Sequence, residues 1–192
     1  MHVVTHLLAG WAVAEHATES PRDRALIAWA SVVPDLDGLG LIADALAPWF
    51  GGTMQWYDRY HHALLHGLPG ALLCTGLFAC FAKQRLNAAA WIFVSCHLHL
   101  LGDLLGSRGG AENAIWPIRY LSPFSESLTI AWSGQWPLTS WQNTTITIVL
   151  MAYALALAVR RGYSPVGLFS ARADAVFVET LKRRLARRET IR

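Results

Sequence analysis

Long apolar runs alternate with short polar breaks along this chain, and most of the runs have helical length. Residues 5–17 predict a short helix closed by the polar stretch HATESPRDR. A second helix is predicted from about Arg22 to Val33, with Ser20 as its cap and Pro21 at its first position. The segment VPDLDGLG ends it, because Pro34 cannot continue a helix and Gly38 and Gly40 favour a break. Residues 40–47 read as helical, and APWFGGTMQWYDRYHH as a loop rich in aromatic side chains.

Two apolar runs follow, residues 63–82 and 88–106, joined by the basic turn KQRLN. Runs near twenty residues exceed any ordinary strand, so they predict an antiparallel helical hairpin. Residues 107–142 form an insertion containing Gly, Pro and Trp. A last apolar helix, TTITIVLMAYALALAV, ends at Arg160 and Arg161, ahead of a linker and an amphipathic basic helix. The expected fold is therefore all-α: a helical bundle around a central antiparallel hairpin, embedded in a membrane. Residues 1–165 make one helical domain and 166–192 a basic amphipathic tail.

Composition sharpens the membrane reading. Hydrophobic residues make up 54% of the 192 and charged ones 15%, against about 25% charged in soluble domains. Nine tryptophans suit positions where an apolar ring meets a wet edge. The central runs are long enough to span a bilayer, whereas residues 144–159 are slightly short and the first two helices shorter still. Lys83, Arg85, Arg160, Arg161 and the tail fit one cytoplasmic side. The competing picture is a soluble bundle whose hairpin is wholly buried.

The net charge of +3 divides unevenly. The tail from Lys182 carries +5 and the remainder −2, so no nucleic-acid face is indicated on the core, although a nucleic acid is not excluded as substrate. A basic terminal segment suits a solvated cytoplasmic tail or anionic lipid. Cys74, Cys80 and Cys96 form no CxxC pair and read as small buried hydrophobes. The N-terminus has no positively charged leader, so a cleaved signal peptide is not expected.

The chemistry lies in CHLHLLGDLLG, residues 96–106. His99 and Asp103 are i and i+4 and share a helix face, while His97 points elsewhere and reads as packing or as support for a ligand. Counted from the basic turn, His66 lies seventeen residues before Lys83 and Asp103 sixteen after Asn87. Both then stand roughly 25 Å from the turn. With residues 17–24 as the first turn, His6 and Asp35 return to the same end. That end gathers His6, Asp35, Asp37, His61, His66, His99 and Asp103, with either His61 or His62 available beside His66. His2 and His16 read as terminal and solvated.

Imidazole and carboxylate together suit zinc, with manganese or iron as alternatives. Seven such groups would serve two ions with a bridging carboxylate, a centre that activates water against a phosphate ester. Asp35, Asp37 and Asp103 would hold metal and orient the attacking water. Glu112, His62 and Arg108 are the candidates for a general acid. Gly38, Gly67, Gly102 and Gly106 near the site would permit close packing or substrate approach.

THLLAGW (5–11), VPDLDG (33–38), HHALLHGL (61–68), HLLGD (99–103) and AIWPI (114–118) together resemble a bacterial family of membrane-bound, metal-dependent hydrolases, that of the SOS-induced inner-membrane protein YdjM. The resemblance spans roughly residues 5–118. The family's paired histidines, separated by arginine, glycine and two further residues and followed by serine, fall on His61 and His66, which selects His61. His62 stands where the family has arginine, Ala63 where it has glycine and Gly67 where it has serine. Loss of that arginine removes a phosphate contact that only a protonated His62 could replace. The family's early histidine falls on His6, its aspartates on Asp35 and Asp37, and its HxxxD on His99 and Asp103.

The family is distantly similar to zinc-dependent phospholipases C and single-strand nucleases, which implies phosphoester hydrolysis by analogy. The expectation is thus a multi-pass inner-membrane enzyme cleaving a small-molecule or lipid phosphoester with metal-activated water. The alternative is a non-enzymatic membrane metal-ion transporter or sensor built on the same His/Asp cluster. A third, blander reading is a bundle of satisfied core histidines that binds no metal.

Overall fold

A computed structural model describes residues 1–61, 64–109 and 114–190. The helices are α1 (Val3–Ala17), α2 (Pro21–Ala30), α3 (Gly40–Leu46), α4 (Trp56–Tyr60), α5 (Leu68–Phe81), α6 (Arg85–Gly106), α7 (Trp141–Arg161) and α8 (Ala171–Thr190). Tight 3-10 turns occupy Val33–Leu39, Ala47–Phe50 and Pro165–Leu168. The fold is all-α apart from a two-residue antiparallel ladder, β1 (Ile118–Arg119) on β2 (Thr129–Ile130), in the insertion before α7.

The apolar faces of α1, α2, α5 and α6 meet in one core that includes Ala14, Ile27, Ala30, Ala71, Ala88 and Ile92. Alanine at so many contact positions lets these helices approach closely. Along α6 the buried stripe runs Ala88, Ile92, Ser95, Cys96, His99, Asp103 and Gly106, the i, i+3, i+4 pattern of one helix face. His99 and Asp103 therefore continue the core stripe rather than interrupt it. On the other side of α1, Leu8 and Trp11 pack with Ala28 against Ala154 and Leu157 of α7.

Both ends of the bundle are pinned by polar contacts. At one end the buried Asp23 carboxylate accepts hydrogen bonds from the backbone N–H groups of Lys83 (2.8 Å) and Gln84 (3.0 Å). Asn87 donates to the Ala17 carbonyl at 3.0 Å, and Arg161 pairs with buried Glu15 at 3.2 Å. At the other end Asn143 of α7 donates to the Gly106 carbonyl at 2.8 Å, and the Thr5 and Thr147 hydroxyls bond at 2.6 Å.

The outward faces are apolar: Leu72, Leu77 and Phe81 of α5 and Ile148, Val149 and Met151 of α7 are all exposed on the isolated chain. α6 and α7, with 22 and 21 residues, are long and apolar enough to cross a membrane. α2 with Val33–Phe50, bent by 49°, forms a third candidate span.

Several boundaries differ from expectation for local reasons. α5 starts at Leu68, not residue 63, because Pro69 has no N–H to donate and fits only the first turn of a helix. α6 starts three residues early, since Asp23 satisfies the N–H groups of Lys83 and Gln84 just ahead of it. α7 includes Trp141 to Asn143 and so reaches spanning length. α2 ends at Ala30, and the aromatic loop contains α4. Cys74 and Cys96 are buried, but Cys80 is exposed on the apolar outer face of α5. The C-terminal segment folds back: Asp174 of α8 is buried and accepts from the Ser164 N–H at 2.9 Å.

Replacing Asp23 by Ala strands two N–H groups at the α6 N-terminus. Thermal unfolding in detergent should show a loss of about 2 kcal/mol or more, and Asp23→Asn, which keeps one acceptor, should lose less.

Candidate metal centre

The site grows from the way α2 stops. Pro34 has no N–H for the Ala30 carbonyl, and the Ser31 and Asp35 N–H groups turn to Ala28 and Val32, so the Ile27, Ala30 and Ser31 carbonyls lack helical donors. Side chains of α6 supply them instead. Ser95 Oγ donates to the Ile27 carbonyl at 2.8 Å, Cys96 Sγ to Ala30 at 3.5 Å, and His99 Nδ1 to Ser31 at 2.8 Å. The Ser31 hydroxyl in turn donates to the His6 carbonyl at 2.7 Å, which ties α1 to the same point. Beyond Pro34 the chain tightens into the 3-10 turn that carries Asp35 and Asp37.

His66 enters from the loop ahead of α5 and is fully buried. Its Nδ1 donates to Asp37 Oδ2 at 2.9 Å, and the other Asp37 oxygen accepts from His61 Nδ1 at 2.9 Å. Both His66 and His99 thus spend their Nδ1 protons on oxygen acceptors, and their Nε2 atoms face each other at 3.2 Å. Two imidazole lone pairs at that distance repel unless a cation stands with them.

The carboxylates complete the arrangement. Asp103 Oδ2 lies 3.0 Å from His99 Nε2 and 3.5 Å from His66 Nε2. Asp35 Oδ1 lies 3.7 and 3.9 Å from the same two atoms. Asp35, His66, His99 and Asp103 each offer one atom within 4.8 Å of all the others, a group that could hold a metal ion. Ligands about 2.0–2.1 Å from a tetrahedral zinc stand roughly 3.3–3.4 Å apart, and the five separations above bracket that value. Asp35 Oδ2 and Asp103 Oδ2 are buried and make no hydrogen bond among the described residues, as expected of carboxylates shaped for a cation. The donor set therefore fits a divalent metal.

Protonation of His66 follows from its partners. Burial works against charge on this ring, but its contacts with Asp103 and Asp37 outweigh burial and push it up to about 9. Without a metal at neutral pH, the second proton of His66 provides the positive charge between the two rings.

The remaining expected residues surround the group of four. His6 Nε2 donates to Asp103 Oδ1 at 3.1 Å, and the His6 ring stacks on His99 with centroids 3.8 Å apart. Asp103 Oδ1 also accepts from Ser107 Oγ at 2.7 Å and contacts the Met1 amine. His6, Asp37 and His61 are thus brought to the site but stand behind the four as hydrogen-bond partners. His97 is separate: Nδ1 donates to the Phe93 carbonyl at 2.8 Å and Nε2 accepts from the Tyr120 hydroxyl at 3.0 Å. His16 is exposed and bonds Tyr153. Of the candidate general acids, Arg108 donates to the Ser133 carbonyl at 2.7 Å, and His62 and Glu112 lie outside the described residues.

All four expected glycines are closely packed: a Cβ on Gly67 would lie 2.6 Å from the Tyr120 carbonyl oxygen, and one on Gly106 closer still to the Asn143 side chain. A Cβ on Gly102 would lie 2.9 Å from the His6 ring, and one on Gly38 would lie 3.2 Å from the His61 ring. Sequence reasoning missed Ser31, Ser107 and Gln135. Gln135 donates to the Asp103 carbonyl at 2.8 Å and accepts from the Trp116 N–H at 2.8 Å. Trp116 also meets His61 edge-on at 5.6 Å, which connects the AIWPI element to the site. No signal marked these serines and Gln135, because their roles depend on which backbone groups the fold leaves unpaired.

Comparison with known proteins places this architecture. No curated protein matches the chain, and no solved structure does, so the anticipated likeness to phospholipases C and nucleases receives no support there. The sequence profile described as YdjM inner membrane protein matches residues 1–179. That description gives a location and no chemistry, and the two helices of spanning length agree with it. The chain is a membrane protein belonging to the YdjM inner membrane protein family.

Proposed function

We propose that this chain is a metal-dependent hydrolase acting on phosphate esters. The observation that carries the reading is the convergence of His66 Nε2 and His99 Nε2, both Nδ1 protons already committed, with the Asp35 and Asp103 carboxylates. A divalent ion held there supplies Lewis acidity to a phosphoryl oxygen and lowers the pKa of water. Zinc suits two imidazoles and two carboxylates, with manganese or iron as alternatives.

The protein groups then divide the work. Asp37 and the Ser31 carbonyl hold the two imidazoles in the tautomer that presents Nε2. His6 and Ser107 fix Asp103 through its other oxygen. Asp35 is the most open of the four, with 19% of its side chain exposed against 5% or less for the others. It faces the incoming water and takes its proton. Asp37 acts as a positioning residue, because hydrogen bonds to His61 and His66 occupy both its oxygens.

The group of four serves one ion. A second ion, as expected from seven His and Asp residues, would have to break the Asp37–His61 pair or displace His6 from Asp103. The transporter reading is disfavoured by the core beneath the cluster. An ion path needs polar groups at successive depths, whereas Ala14, Ile27, Ala71, Ala88 and Ile92 fill that space.

Purified protein should carry about one equivalent of transition metal by mass spectrometry. His66→Ala and Asp103→Ala should lose it, and His97→Ala should keep it. Two equivalents in the parent protein would instead establish a binuclear centre. Hydrolysis of a phosphodiester should stop on chelation and return with zinc; a fully loaded protein that cleaves no ester would refute the enzyme reading. Asp37→Asn should weaken metal affinity about 10- to 100-fold, measured by competition with a chromogenic chelator.

A further inference from the structure

We infer that the metal centre faces the extracytoplasmic side of the membrane and takes its phosphoester from a lipid of that leaflet. The nature of the bond cleaved rests on the hydrolase reading above; the side and the lipid rest on separate observations.

The first observation is the distribution of charge. The contacts of Asp23 with Lys83 and Gln84, Asn87 with Ala17 and Arg161 with Glu15 place three loops at one end of the bundle. Arg22, Arg24, Lys83, Arg85, Arg160 and Arg161 belong to that end, and the basic α8 follows directly from it. At the metal end only Arg59, Arg108 and Arg119 occur in the connecting segments. Lysine and arginine close to spans stay in the cytoplasm, so the basic end is cytoplasmic and the metal end is not.

The second is depth. Asp103 follows Arg85 by eighteen residues of unbroken helix, or roughly 27 Å, against a hydrocarbon thickness of about 30 Å. α7 starts at the same level, through Asn143 on Gly106. The site therefore lies near the far interface, where lipid phosphates begin.

The third is the border of the opening. Asp35, the most exposed of the four, leads into the segment that leaves α2 at 49°. This segment exposes Leu39, Leu41, Ile42, Trp49 and Phe50, the last two at 83% and 86%. A patch of that kind on an aqueous loop would be a liability; beside a bilayer it is a contact surface for acyl chains. A phosphoester reaching Asp35 past this border arrives with its apolar tail accommodated. Hydrolysis joins the oxygen of water to phosphorus and breaks the bond from phosphorus to the leaving alcohol oxygen. One water proton goes to that oxygen and the other to solvent through Asp35.

The test begins with a variant in which Cys74, Cys80 and Cys96 are Ala, carrying one new cysteine by Ser127→Cys in the insertion or Thr180→Cys on α8. A membrane-impermeant maleimide should label the first in intact cells and the second only after permeabilisation; the reverse pattern overturns the orientation. Purified protein should then cleave phospholipid in mixed phosphatidylethanolamine and phosphatidylglycerol vesicles at least tenfold faster than bis(p-nitrophenyl) phosphate. Trp49→Ser with Phe50→Ser should slow the vesicle reaction about tenfold and leave the soluble ester unchanged. Equal rates on the two substrates, or equal loss on both, overturn the lipid assignment while the hydrolase reading stands. Extracytoplasmic labelling of a metal-loaded protein that cleaves neither substrate overturns the hydrolase reading, and the lipid assignment falls with it.

Discussion

Pro34 withholds an N–H from Ala30, the Ser31 and Asp35 N–H groups turn to Ala28 and Val32, and the site is built around the carbonyls this leaves unpaired. A helix continuing through residue 34 would have closed its own carbonyls and carried Asp35 and Asp37 along a regular spiral. Instead Ser95, Cys96 and His99 of α6 satisfy the carbonyls of Ile27, Ala30 and Ser31. The two helices are locked in register by three contacts, and the third also chooses the tautomer of His99. A packing constraint and a chemical one are thus met by the same hydrogen bond. The 3-10 turn that follows has room for two aspartates only two residues apart, and they do different things. Asp35 offers an oxygen to the group of four, and Asp37 turns away to hold His61 and His66.

The same economy extends to α1. Ser31 donates to the His6 carbonyl, and the His6 ring then lies over His99 because residue 102 has no side chain to obstruct it. The cluster is therefore held by α1, α2, α6 and the loop before α5 together. Since each element reaches the site from the common core, the geometry of the donors depends on close alanine-rich packing some distance below them. Such rigidity is what a metal site of fixed donor spacing requires.

Much of this was legible in the chain, for identifiable reasons. The spacing of His99 and Asp103 is local, and helical periodicity settles it without knowledge of the fold. The level of His66 came from counting along two helices from their shared turn. The count succeeded although Pro69 delays α5 to Leu68 and leaves His66 on a loop, because only Gly67 separates His66 from the start of that helix. What periodicity could not give was the division between the group of four and its supporting partners. That division depends on which nitrogen each imidazole spends on which acceptor, and the acceptors include the Ser31 backbone carbonyl, which has no signature in sequence. The insertion at 107–142 was opaque for a related reason. Its role is carried by Gln135 and Trp116, whose contacts connect segments far apart in the chain.

The balance of charge accounts for why so many imidazoles gather here. Three carboxylates, those of Asp35, Asp37 and Asp103, stand together at one end of the bundle, where the Met1 amine pairs with Asp103. Burying a carboxylate costs several kcal/mol unless a partner repays it, and no lysine or arginine contacts these three in the described structure. Arginine at this depth would satisfy them permanently, with no room for an ion. Histidine differs because it can be neutral: its two nitrogens let one ring bind a carboxylate or carbonyl and still present a lone pair. His66 carries a proton when the site lacks another cation and can release it when one arrives. A cluster stabilised by arginine would be a structural ion pair, whereas an imidazole that can lose its second proton leaves the negative charge available to a metal. The choice of histidine over arginine lets this group hold a metal ion where an arginine would leave only a buried salt bridge.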